Sequence, residues 1–92
     1  MADVRAIAAG FGVRVERADL GEWGSTWLVA EYDPAGPVIR VDSRVEDARI
    51  DHAIAHELYH HREAIGEIAR IADRAAREAA ADAFASEMVM ES

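Results

Sequence analysis

The chain has no cysteine, lysine, asparagine or glutamine among its 92 residues. Without cysteine there is no disulfide framework and no thiolate ligand, so a metal site would have to use histidine and carboxylate side chains. No apolar run approaches the roughly 18 residues that a membrane span needs. The first residues lack a basic start followed by an apolar block, so we expect no secretory signal and predict a cytoplasmic protein without membrane contacts.

Acidic side chains outnumber basic ones by 18 to 10, and the formal net charge is -8. Such a surface repels phosphate backbones, so direct binding to nucleic acid is not expected, whereas a basic protein partner is compatible with it. Arg70, Arg74 and Arg77 recur at helical spacing. Acidic residues lie among these arginines, so we interpret the stretch as a solvated face of mixed charge rather than an anion site.

Length and hydrophobic content predict one small domain over residues 1–92. Residues 3–9 are predicted to form a short helix with Val4, Ile7 and Ala8 on one face and Gly10 as its left-handed stop. Alternating or β-branched residues predict three strands, at residues 12–17, 26–32 and 37–41. The last two strands are predicted to form a hairpin, because the sequence DPAG between them is typical of a tight turn.

Two long helices are predicted after the hairpin. Ser43 and Glu46 match a capping box for a helix that runs to about Ala64, with Gly66 as its stop. The apolar ridge of this helix is Ile50, Ile54 and Leu58. The second helix is predicted at about residues 72–90, with an inner face made of Ala75, Ala76, Ala79, Ala83, Phe84 and Met88. The predicted fold class is therefore α+β: a short helix, a small three-stranded sheet and two packed helices.

The first long helix contains His56-Glu57-Leu58-Tyr59-His60, an HExxH motif. Residues four apart share one face of a helix, so the two imidazoles can bind a single ion. Zinc accepts imidazole and carboxylate ligands in tetrahedral geometry, and a catalytic site keeps one position for water. Glu57 is offset around the helix, where a base can act on that water. We predict that His56 and His60 bind one zinc ion per chain and that Glu57 is catalytic.

Glu78, on the second long helix, is the predicted third metal ligand and completes a His₂Glu set. Asp82 lies four residues further on the same face, where its carboxylate could accept a hydrogen bond from a ligand histidine and fix its tautomer. Glu63 and Glu67 are rival third ligands. Three ligands from one helix suit a tetrahedral ion poorly, which disfavours Glu63, and Glu67 falls in the connection between the helices.

Other polar and aromatic side chains are weaker candidates for the site. His52 could pair with the first histidine of the motif as an alternative ligand set, but no glutamate follows it, so a role at the rim or in the core is expected. His61 is predicted at the surface or beside the ligands. His61, Tyr32 and Tyr59 could also polarise a substrate carbonyl, although packing is the commoner role of such tyrosines. Trp23 is expected to cover the sheet, with contact to a substrate as the alternative.

These residues resemble the ImmA/IrrE family of metallopeptidases. The similarity runs from the short helix and first strand through the hairpin and the HExxH helix to the sequence EAAADAFA at residues 78–85. Members of this family are zinc peptidases or zinc-dependent regulators that act on helix-turn-helix transcriptional repressors in mobile-element or stress responses. The resemblance implies a function of this kind. By this resemblance His56, His60 and Glu78 are the zinc ligands and Glu57 is the catalytic glutamate. Minimal thermolysin-like peptidases are the nearest alternative family.

The leading prediction is a zinc-dependent metalloendopeptidase whose protein substrate is a transcriptional repressor. The family usually continues through a Leu-Leu-Met-Pro-like stretch into further helices, whereas this sequence lacks the proline and ends at Ser92. That difference motivates an alternative, a zinc-stabilised module that sequesters a repressor without cutting it. A third possibility is a structural zinc site that stabilises a domain with a small core.

Overall fold

A computed structural model describes residues 3–20, 22–23, 26–27 and 29–90, and of residues 22–23, 26–27, 47 and 48 it describes the backbone alone. The helices of the described part are Val4–Gly10 (α1), Asp47–Ala64 (α2) and Arg74–Met90 (α3). Its strands are Arg14–Ala18 (β1), Glu22–Trp23 (β2), Thr26–Trp27 (β3), Ala30–Asp33 (β4) and Val38–Asp42 (β5). The predicted α+β class is confirmed.

The short helix α1 begins at a capping aspartate. The carboxylate of Asp3 accepts hydrogen bonds from two backbone amides of the first turn, at 3.1 and 3.3 Å. The predicted apolar face is confirmed, since Val4 and Ala8 are buried. The predicted stop is wrong by two residues: Gly10 is still helical, and the left-handed residue is Gly12, with φ of 75°.

Three strands form the main sheet, in the order β1-β5-β4. The central strand β5 runs parallel to β1 and antiparallel to β4, and Val38, Ile39 and Val41 on it are buried. The three-stranded sheet and its hairpin are therefore confirmed. β2 and β3 form a separate antiparallel pair, so the strand predicted at residues 26–32 is divided between β3 and β4, and residue 28 lies outside the described residues.

The hairpin turn between β4 and β5 depends on its side chains as the sequence predicts. The carboxylate of Asp33 accepts a hydrogen bond from the amide of Ala35 at 2.9 Å, and the peptide bond between Gly36 and Pro37 is cis. A Cβ atom at Gly36 would lie 3.0 Å from the backbone nitrogen of Val38, so a larger residue would crowd the turn. The turn thereby sets β4 against β5.

The predicted capping box at the start of α2 is wrong. The amide of Ser43 donates a hydrogen bond to the carbonyl of Ala18 at 2.8 Å, which continues the pairing of β1 with β5 by one residue. Val45 then closes a turn onto the carbonyl of Asp42. The helix consequently begins only at Asp47, after Glu46, whose side chain makes no capping hydrogen bond. The predicted end of α2 is confirmed, because the left-handed Gly66 follows it.

The core lies between α1, the main sheet and α2. The ridge of Ile50, Ile54 and Leu58 is buried there, as predicted, against Val4 and Ile39. In the described part of the chain, neither α2 nor α3 combines the length and apolar character that a membrane-crossing helix needs.

The inner face of α3 differs from the prediction. Ala81 and Ala85 are fully buried, and Phe84 and Met88 are half-buried, but four predicted inner residues are exposed: Ala75, Ala76, Ala79 and Ala83. Ala81 and Ala85 lie on one side of the helix with the half-buried Glu78 and Met88. The first half of the inner face is therefore polar, and alanine content alone points to the wrong side of the helix.

Candidate metal centre and active-site cleft

A cleft of about 990 Å³ opens between α2, α3 and the strand β4. Its walls include the HExxH residues His56, Glu57 and His60, together with Glu78 from α3 and Tyr32 from β4. The buried ridge of α2 faces the sheet. The side chains of the motif lie on a neighbouring face of the same helix, which is directed toward α3. The fold thus brings the motif into a solvent-accessible cleft rather than into the core.

Three predicted ligand side chains converge in this cleft. The Nε2 atoms of His56 and His60 lie 3.3 Å apart. The Glu78 carboxylate lies 2.8 Å from the Nε2 atom of His56 and 3.4 Å from that of His60. One donor atom from each of the three residues lies within 4.8 Å of the others, so the group could hold a metal ion.

In both histidines the Nδ1 atom faces a carboxylate, which is the arrangement that supports a metal ligand binding through Nε2. Nδ1 of His56 lies 2.7 Å from the carboxylate of Asp82, and Nδ1 of His60 lies 2.9 Å from that of Glu63. An ionised carboxylate only accepts hydrogen bonds, so Nδ1 of each ring is the donor in these contacts, and a bound cation would take the place of a proton between Nε2 of His56 and Glu78.

The donor set fits a divalent cation. One donor atom from each of the two imidazoles and the carboxylate lies within 4.8 Å of the others, and a positive charge between them, a metal ion or a proton on a ring, makes this arrangement favourable. Bonds of the length found for zinc would place tetrahedral ligand atoms about 3.3 Å apart, which is close to two of the three separations seen here. The ligand types equally suit other divalent transition metals.

The hydrogen bond predicted between Asp82 and a candidate ligand histidine is present, with His56 as the partner. Asp82 also lies 3.6 Å from the Nε2 atom of His52, which is half-buried at the wall of the cleft. Burial opposes ionisation of Asp82, but the hydrogen bond from His56 and the nearby ring of His52 outweigh it and lower the pKa of the carboxyl. His52 thus has the rim position expected of it and is not one of the converging ligands.

The two rival third ligands have other partners. The side chain of Glu63 is largely enclosed, and its carboxylate contacts Nδ1 of His60 and the guanidinium of Arg77. Burial by itself would raise the pKa of Glu63, but the hydrogen bonds from Arg77 and His60 lower it. Glu67 forms an ion pair with Arg62 at 3.0 Å. The interpretation of Arg77 as part of a solvated face is therefore wrong, since this arginine links α3 to α2.

Glu57, the predicted base, is half-buried and lines the cleft. Burial raises the pKa of its carboxyl, as do the charges of Glu78 and Glu31, against the opposing effect of His56 and His60. None of the described residues forms a hydrogen bond or an ion pair with the Glu57 carboxyl group. Its oxygens can therefore accept a proton from a molecule bound in the cleft.

The sequence prediction for His61 is wrong. His61 is 4% exposed, and its Nδ1 atom lies 2.7 Å from the hydroxyl of Tyr32. Phe11 packs edge-on against the same ring. Burial lowers the pKa of His61, against the opposing charge of Glu67. The sequence does contain a signal for this position, because His61 lies three residues after Leu58 and continues the buried ridge of α2.

Tyr32 lies on the wall of the cleft, while Tyr59 is buried against Phe84 with ring centroids 5.9 Å apart and is not part of the described lining. Of these two tyrosines, the structure therefore places only Tyr32 at the cleft. The side chain of Trp23 lies outside what the structure describes, so the expectation that it covers the sheet stays a prediction.

Comparison with known families agrees with this geometry. Residues 8–92 match the family model Peptidase_M78, the IrrE N-terminal-like domain. The chain therefore belongs to this family of metallopeptidases, and the resemblance to the ImmA/IrrE family is confirmed. No curated protein and no solved structure gives a significant match to the chain.

Proposed function

We propose that the protein is a zinc-dependent metalloendopeptidase that acts on a helix-turn-helix transcriptional repressor in a mobile-element or stress response. One observation carries the enzymatic part of this proposal: three ligand atoms from α2 and α3 converge in an open cleft, with the free carboxylate of Glu57 beside them. A structural metal site is closed by four protein ligands, whereas a catalytic site keeps a position for water. Among the described residues the group has three members and lies in a cleft, which favours catalysis.

Different residues of the cleft have different roles in the proposed peptide hydrolysis. His56, His60 and Glu78 would hold the zinc ion, which when bound supplies the Lewis acidity that polarises a carbonyl and acidifies water. Glu57 accepts the proton of the water that attacks the scissile carbonyl carbon. As the carbon–nitrogen bond breaks, Glu57 transfers that proton to the leaving amine. Asp82 and Glu63 keep the two imidazoles in the ligating tautomer meanwhile.

The strand β4 offers a way to hold an extended substrate. It lies at the edge of the three-stranded sheet, and Ala30 and Tyr32 on it line the cleft. An edge strand can pair through its backbone with an extended peptide, which would lie across the cleft beside Glu57. Such binding suits a flexible segment of a protein substrate better than a compact domain.

The identity of the substrate rests on the family resemblance. Members of that family act on helix-turn-helix repressors, and DNA-binding proteins commonly carry positive patches. The net charge of -8 would favour association with a basic protein of this kind.

The variant Glu57→Gln tests the proposed base. We expect it to bind zinc as the unchanged protein does, because Glu57 is not one of the converging ligands, and to lose roughly 10²–10⁴-fold in cleavage rate. Zinc-loaded protein would be incubated with purified candidate repressors, and fragments measured by intact-mass spectrometry. Glu87→Gln, on the exposed face of α3, is the matched control and should cleave normally.

Two results would contradict this assignment. Cleavage that persists in Glu57→Gln would remove Glu57 from the role of base. A stable complex with an intact repressor, with no fragments from the unchanged protein, would instead favour a zinc-stabilised module that sequesters its partner.

A further inference from the structure

We propose that Glu63 and Arg77 act as a positioning pair for His60, with Arg77 fixing Glu63 and Glu63 fixing the imidazole so that its Nε2 atom faces the cation site. This inference rests on the proposed function, since it concerns how the proposed metal site is built. The pair spans both helices: Glu63 lies on α2, three residues after His60, and Arg77 lies on α3, directly before Glu78.

The contacts leave the Glu63 carboxylate little freedom. Its side chain is 3% exposed, and the Nε atom of Arg77 lies 3.0 Å from each of its two oxygens. The Nη2 atom of Arg77 adds a contact of 2.9 Å. Among the described residues, the other polar contact of this carboxylate is the one to Nδ1 of His60 at 2.9 Å. A forked guanidinium fixes the orientation of a carboxylate, so the carboxylate in turn fixes the plane of the imidazole.

The other ligand histidine has a weaker support. The side chain of Asp82 is 62% exposed, so water competes for its oxygens, and Asp82 also approaches His52. No arginine among the described residues is seen to hold Asp82, whereas Glu63 has Arg77. The structure therefore assigns different roles to the two rings, with His60 as the fixed ligand and His56 as the adaptable one.

The pair also orients His60 without adding net charge to the site, because the guanidinium neutralises the carboxylate. Buried ion pairs contribute little net stability compared with apolar residues of similar size, so a role in stability alone is a weak explanation of this pair. A role in positioning predicts instead that the pair controls metal affinity and the tautomer of His60, two properties that a purely structural contact would not move.

The test measures zinc affinity by competition with a chromophoric chelator in Glu63→Gln and in Glu67→Gln. Both changes remove a carboxylate that is paired with an arginine, but the pair of Glu67 with Arg62 contacts no ligand of the cation site. We expect Glu63→Gln to weaken zinc binding by roughly 10–100-fold, as loss of a hydrogen bond to a metal-binding histidine does elsewhere. Glu67→Gln should stay within about twofold of the unchanged protein.

A second readout uses the zinc-free protein. Nitrogen-15 NMR of the imidazoles should report a proton on Nδ1 of His60 in the unchanged protein. In Glu63→Gln we expect a mixture of tautomers at His60, because the new amide can donate as well as accept, whereas Glu67→Gln should leave the tautomer of His60 unchanged.

Arg77→Lys covers the case in which Glu63→Gln does not fold. Lysine keeps the charge but loses the fork, so we expect weaker zinc binding in a folded protein. Unchanged zinc affinity in Arg77→Lys, or in a folded Glu63→Gln, would overturn the proposed pair and leave the proposed peptidase intact. If the unchanged protein bound no zinc, the proposed function would fail as well.

Discussion

At the scale of single residues, the four histidines of α2 differ in what their ring nitrogens contact. His56 and His60 each give one nitrogen to a carboxylate and direct the other toward Glu78. His52 lies at the wall of the cleft beside Asp82, and His61 lies in the core. The same type of side chain thus occurs as candidate ligand, rim residue and core residue along three turns of one helix.

The hydrogen bond between Tyr32 and His61 is the residue-scale feature that stability measurements can isolate. Tyr32→Phe would leave Nδ1 of a buried imidazole without its partner, so we expect the free energy of unfolding to fall by about 1–3 kcal/mol. Urea denaturation of the zinc-free protein would measure this change.

Tyr59→Phe is the control for this prediction, because Tyr59 is also buried but its hydroxyl forms no hydrogen bond with the described residues. We expect its free energy of unfolding to change by no more than about 0.5 kcal/mol. Equal losses in the two variants would show that the hydroxyl of Tyr32 has no special role.

The residue scale is also where the sequence was most informative about the site. The HExxH spacing places two imidazoles on one face of a helix, and a chain without cysteine leaves carboxylates as the remaining strong ligands. That was enough to select His56, His60 and Glu78. Spacing could not reveal that Glu63 faces the back of His60, because this depends on where α3 places Arg77.

At the scale of elements, α2 and α3 must approach closely for one cation site to take ligands from both. Two fully buried alanines, Ala81 and Ala85, lie on the inner face of α3, one and two turns beyond Glu78. Because alanine has a small side chain, the helix axes can lie close together there. We infer that these two residues set the separation at which Glu78 reaches the histidines of α2.

Ala85→Leu tests this account of the helix packing. Leucine has no room at a fully buried position, so we expect the free energy of unfolding to fall by about 1–3 kcal/mol. Zinc affinity should fall too, because α3 would move away from α2. Chemical denaturation and a zinc titration measure the two effects.

Ala83→Leu is the matched control, since it makes the same change of side chain at an exposed position of the same helix. Helix propensity changes equally in both variants, and Ala83→Leu should alter stability by no more than about 0.5 kcal/mol. A larger loss of stability in Ala83→Leu than in Ala85→Leu would support the inner face predicted from alanine content, which includes Ala83 and omits Ala85.

At the boundaries of helices and strands, tertiary contacts can override the structure that a local sequence pattern predicts. The Ser43 and Glu46 pattern is typical of a helix start, but the amide of Ser43 pairs with β1 instead, and α2 begins later. The hairpin turn was predictable because its residues act locally: Asp33 bonds a neighbouring amide and Gly36 has no side chain to crowd Val38.

At the scale of the whole molecule, the cation site connects the two long helices, while α1 and the sheet cover the other side of α2. A ligand that binds only the folded chain stabilises it by RT ln(1 + [L]/Kd), which is about 2.7 kcal/mol at a hundredfold excess over Kd. A small domain without disulfides would gain a large part of its stability in this way.

The central claim is that His56, His60 and Glu78 together hold one divalent cation. An equilibrium zinc titration of the purified protein, repeated on Glu78→Ala, tests it most directly. We predict one zinc per chain for the unchanged protein, and for Glu78→Ala a loss of affinity greater than the roughly 10–100-fold that follows removal of a supporting hydrogen bond. A chain that binds no zinc, or a Glu78→Ala variant that binds it equally well, would contradict the account.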